Sequence, residues 1–266
     1  MSAENRQRVH ELIEQSFEAE SEEEARGLIK KALKIEPENV DALIIEANLQ
    51  PDPELRTKEL AMAVEIGRKK VEAFDLPPGM LSLDPEARPY LRALYSYAGA
   101  MLLAGRAAEC LATYEKLLAL DERDAMGARY ELVSYYLTAD RLEDAQRIER
   151  RYAEDESAFL CWARTLLYYR LREFKTARKH LELAREGNPF VEDGLGEADA
   201  EPAPPDGLHT PGDESEADWI LFHQGIAWLL NPLAVGWLSG ELDPDHPDYV
   251  GPLDEIAVSL GGPTAE

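Results

Sequence analysis

The chain has 266 residues, 45% of them hydrophobic, with 53 acidic against 28 basic side chains and a formal net charge of −25 at pH 7. That length is enough for one extended domain or two compact ones, either with a real core. So acidic a chain repels phosphate backbones and the anionic face of a membrane, which excludes nucleic-acid binding through a broad basic surface and argues against a membrane partner.

The N-terminal "MSAENRQRVHELIEQ" lacks the apolar run of a secretory signal, so a cytoplasmic location is expected. Next, "SEEEARGLIKKALKIEPENVDA" places Ala25, Ile29, Ala32 and Leu33 on one helical face. Ser21, with Glu24 three residues on, has the form of a capping box. A second helix pair follows, broken at "QPDP". The segment 75–89, "DLPPGMLSLDPEARP", is too rich in proline for a helix and reads as an insertion.

Three similar segments then run over 95–124, 130–155 and 162–189. Each has an apolar helical stretch, a short break near Gly105, Asp140 or Arg172, and a second amphipathic helix. Each second helix opens around a small residue, Cys110, Ala145 or Ala177, in register with a helix-turn-helix period near 34 residues. Small residues are needed there because two antiparallel helices pack closely only where their side chains are short. Leading into and along the first of these segments, Leu91, Leu94, Tyr95, Ala98, Met101 and Leu102 form one broad apolar stripe. Pro189 stops the last helix.

These patterns resemble the tetratricopeptide repeat superfamily over roughly residues 6–189, most closely in "AGRAAECLATYEKLLALDERD" and "EEEARGLIKKALKIEPENVDA". Glu122 and Ser157 depart from it, standing where the family usually has proline. More narrowly, "RPYLRALYSYAGAMLLAGRAAE", "GARYELVSYYL" and "NPFV" are similar to a group of bacterial repeat proteins, itself distantly similar to the suppression-of-tumorigenicity family. That group brings no established activity. The resemblance implies an all-α, right-handed α-solenoid whose concave groove is lined by the first helix of each pair. It places Arg92, Tyr95, Tyr130, Ser134, Trp162, Tyr169 and Arg170 on the groove side. Aromatic and arginine side chains are the types that anchor interfaces, whereas Tyr114, Tyr136 and Tyr168 are expected in the inter-helix core. The basic clamp with which chaperone-docking members hold a peptide carboxylate is missing: the matching places are Tyr95, Gly99, Tyr130 and Ser134.

Residues 193–217 are acidic and rich in Pro and Gly, and a surface loop is expected. The following "WILFHQGIAWLLNPLAVGWL" has twenty residues without a charge. Asn231-Pro232 divides it into a helix of about a dozen residues and one of about eight, neither able to span a bilayer. Acidic flanks and the absence of nearby Lys or Arg agree. Helices over 218–240 are therefore expected to cap the last repeat. The remainder, 241–266, is an acidic tail that can hold a short helix. The expected organisation is thus helix pairs over 1–74, the insertion 75–89, three pairs over 90–192, the loop, the cap and the tail.

No catalytic, metal or cofactor site is expected. His10, His180, His209, His223 and His246 form no HExxH motif. His180 is expected on a solvated face and His223 as a packing histidine. "DPDHPD" at 243–248 fails the EF-hand pattern because its glycine is missing. Neither Cys110 nor Cys161 belongs to a CxxC pair, so buried thiols are expected rather than a zinc site. The function expected is a non-enzymatic adaptor that binds a protein or peptide in the groove. The alternative is a small-ligand module or enzyme with its site between the repeats and the C-terminal helices, involving His223 and Trp228. Self-association through those C-terminal helices is a third possibility.

Overall fold

The computed structural model describes residues 2–72, 74, 76–196 and 209–240. All regular structure among them is helical, as expected for an all-α chain. The chain divides between Leu132 and Val133 into two compact units.

In the first unit α1 (Ala3–Phe17) and α2 (Glu22–Ile35) pack as a hairpin, followed by α3 (Val40–Asn48) with α4 (Pro53–Val71) and α5 (Arg88–Leu103) with α6 (Ala107–Leu120). Each helix packs on the next in sequence, and α3 also packs on α5. The starts are set by side-chain caps: Ser2, Ser21, Asn39 and Asp52 each accept a hydrogen bond from a first-turn amide. At Ser21 the expected box is shifted by one residue. Glu24 N–H donates to Ser21 Oγ, while the Glu24 carboxylate accepts from the amide of Glu20 rather than from that of Ser21. Val9, Leu12, Ile29, Ala32 and Ala42 make one core cluster, and Val40, Ile44, Leu60, Ala63, Ala93 and Ala100 belong to another. The many alanines are the short side chains that such close helix pairs require.

The proline-rich segment holds a single 3-10 turn, Leu81–Leu83, and is tied down rather than loose. Ser82 Oγ donates to the buried Asp121 carboxylate at 2.6 Å, and the Glu122 amide donates to the Gly79 carbonyl at 2.7 Å. Asp124 then starts α7 (Ala128–Thr138), accepting from the amides of Ala128 and Arg129. The division between the units falls within this helix.

The second unit contains α8 (Leu142–Arg151), α9 (Ala158–Arg170), α10 (Phe174–Gly187), α11 (Phe190–Gly196), α12 (Glu214–Leu229) and α13 (Pro232–Leu238). α9 is its centre: it packs on α8, α10, α12 and α13, and from Ala158 to Leu167 every side chain is buried. Ser157, which departs from the family's proline, is the N-cap of α9, accepting from Leu160 N–H. Gly194 lets α11 lie directly on α12, since a Cβ there would sit 2.3 Å from Leu221 Cδ1.

The three breaks expected from sequence share one geometry. Gly105, Asp140 and Arg172 all have φ between 59° and 74°, the left-handed conformation that ends a helix. In each, the next amide reaches back five residues, Arg106 to Met101, Arg141 to Tyr136 and Glu173 to Tyr168, at 2.8–2.9 Å. This is the Schellman pattern. Cys110, Ala145 and Ala177 are each fully buried.

Two expectations need correction. The acidic segment 193–217 is not all loop: α11 runs to Gly196, and α12 begins at Glu214 because Asp213 accepts from the amides of Ser215 and Glu216. The charge-free stretch does break at Asn231-Pro232, and among the described residues no helix is long and apolar enough to cross a membrane. Asn231 does not cap with its side chain, however; its amide donates back to the Ala227 carbonyl at 2.8 Å. The tail 241–266, with "DPDHPD", lies outside the described residues.

Candidate binding groove

The first unit carries an open groove of about 540 Å³. Its walls are built by one repeated helical face. α1 supplies His10, Ile13, Glu14 and Phe17; α3 supplies Asp41, Ile44, Ile45 and Asn48; α5 supplies Arg92, Tyr95 and Ser96. Spacings of three, four and seven bring such residues to one side of a helix. Met126, from the turn before α7, closes one side. Phe17 is 75% exposed, the most exposed large apolar side chain among the described residues.

Two of the charged groups beside this apolar surface are matched with one another. Arg92 holds Asp41 with two parallel hydrogen bonds of 2.8 Å, Nε and Nη2 each donating to one carboxylate oxygen. His10 Nε2 lies 3.2 Å from Glu14 Oε1. Tyr95 O–H donates to the buried Glu131 carboxylate at 2.7 Å, and its ring meets Tyr114 edge-on. The groove therefore offers Ile, Phe and Met side chains beside the paired Arg92 and Asp41.

Of the residues expected on the groove side, the structure brings only Arg92 and Tyr95 to this surface. Tyr130 is half-buried beneath Arg129, whose guanidinium lies 4.1 Å from the ring centroid and donates to the phenol oxygen. Ser134 is buried. Trp162, expected to face a partner, is 0% exposed; its indole N–H donates to the Asn188 carbonyl at 3.2 Å, and its ring meets Trp228 edge-on at 6.0 Å. Tyr169 is buried between Phe174 and Trp237. Arg170 is a clamp on the preceding turn, donating to the Leu137 carbonyl at 2.5 Å and pairing with Asp140. Trp162 and Tyr169 face inward because α9 is covered on several sides, leaving its aromatic side chains no free face.

The alternative site fares similarly. Trp228 is buried against Trp162, and His223 sits among Phe159, Trp219 and Phe222. His180 is not on a solvated face but half-buried and stacked on Tyr168 at 5.3 Å, and burial pushes its pKa down to about 4. Burial also pushes the Cys110 thiol up to about 12 and raises that of Cys161, the opposite of an activated thiol. Among the described residues no group of three His, Cys, Asp or Glu side chains is placed to hold a metal ion.

Comparison with protein-family models gives no match, and comparison with curated proteins gives none either.

Proposed function

We propose that this chain is a non-enzymatic adaptor: a right-handed α-solenoid of tetratricopeptide-like helix pairs, closed by its C-terminal helices, that holds a protein or peptide segment in the cytoplasm. The observation that carries this is the groove on α1, α3 and α5, where one face of successive first helices leaves Phe17 in solvent beside Ile13, Ile44 and Ile45. Left-handed helix stops at Gly105, Asp140 and Arg172, each followed by a second helix, support the repeat organisation. An apolar surface beside the paired Arg92 and Asp41 suits a segment that presents aliphatic or aromatic side chains.

The test is a photoactivatable side chain placed at Phe17, with Met62 on α4, also exposed but outside the groove, as control. Cross-linking in native lysate is expected to give a discrete partner from position 17 and not from 62. Ile45→Glu, checked for unchanged helicity, is expected to abolish that product. Equal products from both positions, or products indifferent to Ile45→Glu, would overturn the proposal.

A further inference from the structure

The large apolar side chains that face solvent in the second unit are concentrated in one place. Among its described residues they are Phe190, Phe222, Ile226, Leu229 and Leu230. The last four follow one another at helical spacing along α12 and its C-cap, with exposures of 37%, 55%, 48% and 62%. The opposite face of the helix, Ala217, Ile220, Gln224, Ala227 and Trp228, is the buried one. α12 is thus apolar on both sides, and among the described residues only one side is covered.

We propose that the outer face of α12 is a contact between two copies of this chain, the helices packed antiparallel about a twofold axis. Charge supports this occupant. Two copies each carrying a formal net charge of −25 repel, and residues 219–238 form a stretch with no charge at all. An apolar stripe complements itself, as a twofold contact requires. It carries none of the charge pattern by which a surface selects an oppositely charged partner. Orientation follows from the flanks. Glu214 and Asp218 are exposed at the N-terminal end of the 16-residue helix. Parallel packing would set the two acidic turns side by side, whereas antiparallel packing with Ile226 at the axis holds the two Glu214 positions about 36 Å apart.

Area supports it as well. At about 200 Å² for each fully exposed large side chain, the four leave roughly 400 Å² uncovered, the size of the largest apolar patch on a typical monomer, which is often a functional one. That is half of the ~800 Å² per partner of a standard interface. The stripe is the middle of a reversible contact, one that is populated at micromolar concentrations.

Sedimentation velocity of the full chain from about 1 to 200 μM tests this. The expected result is a monomer–dimer equilibrium that strengthens as NaCl is raised from about 50 to 500 mM, because salt screens the repulsion between copies. Ile226→Glu is expected to weaken the dimer at least tenfold while helicity and melting temperature stay unchanged, since the side chain it replaces is in solvent. Ile226→Cys is expected to form an intermolecular disulfide on mild oxidation and Glu214→Cys is not; the native Cys110 and Cys161 are buried and give little background. A monomer throughout, whatever else covers the face, overturns the proposal. So does a dimer that Ile226→Glu leaves intact, one that salt weakens, or cross-linking from position 214 as readily as from 226.

Discussion

Asn188 is where the C-terminal helices of the second unit are fastened, and Asn188→Ala should release them. The side chain sits between α10 and α11 and is 0% exposed. Its Nδ2 donates to the Asp213 carbonyl at 2.9 Å and to Glu216 Oε2 at 3.0 Å, while its Oδ1 accepts from Phe190 N–H at 3.1 Å. Two neutral hydrogen bonds at about 1 kcal/mol each and one to a carboxylate at about 2 kcal/mol sum to about 4 kcal/mol. That is a large part of the 5–15 kcal/mol that holds a domain folded. All four tryptophans, Trp162, Trp219, Trp228 and Trp237, lie in this unit, so tryptophan emission follows it alone. With a urea slope of about 2 kcal/mol/M, the midpoint should fall by about 2 M. Asn188→Asp adds a sign. It sets a second carboxylate against Glu216, so its deficit relative to wild type should be largest at pH 7. The deficit should shrink near pH 5, where the pair shares a proton that restores a donor. An alanine midpoint within about 0.5 M of wild type, or an aspartate deficit that grows on acidification, would refute the assignment.

Other perturbations have expected outcomes of the same kind. Arg164 is buried, donates to the carbonyls of Tyr152 and Asp155 behind α8, and lies 3.3 Å from Glu149. Arg164→Met should cost about 3–5 kcal/mol in tryptophan-detected denaturation, because a buried carboxylate loses its counter-charge. His180 is held neutral down to about pH 4 by burial and the Arg164 charge, so the unfolded chain takes up a proton first as pH falls below 6.5. Wild type should therefore lose stability between pH 6.5 and 4 that His180→Phe keeps, on the order of 1–2 kcal/mol once partial exposure is allowed for. Denaturation of both proteins at pH 7 and 4.5 gives the comparison. Arg172 has φ of 59°. Arg172→Gly should raise stability by about 0.5–1 kcal/mol, since glycine alone adopts that conformation without steric cost; a loss in calorimetry would show that the Arg side chain matters more than the backbone.

The helices and their stops were legible because they depend on local chemistry. Asp52 with Pro53, Ser157 and Asn231-Pro232 mark helix starts, and the breaks at Gly105, Asp140 and Arg172 are where the left-handed residues fall. The start of α12 was missed because Asp213 caps it from within a Pro- and Gly-rich acidic stretch that reads as loop throughout. Site residues were less legible. Arg92 and Tyr95 line the open groove, but so do His10, Ile13, Phe17 and Ile45, which were not singled out although positions 10, 13, 14, 17 and 41, 44, 45, 48 repeat one spacing that the sequence displays. Trp162 and Tyr169 were misplaced for a different reason. Whether an aromatic on an apolar helix faces a groove or a core depends on which helices cover it, and α12 and α13 cover α9 from far along the chain.

The pairing of charges around the groove sets how a partner would arrive and leave. Asp41 is held by Arg92, so this pair projects little field to guide an approaching segment. On the proposed function, encounter with an uncharged apolar segment would proceed at about the unsteered rate of 10⁵–10⁶ M⁻¹s⁻¹. Differences among partners would then lie almost wholly in residence time, set by how well apolar side chains fill the space beside Phe17. On the proposed function, such a surface would discriminate by how long it holds what it meets.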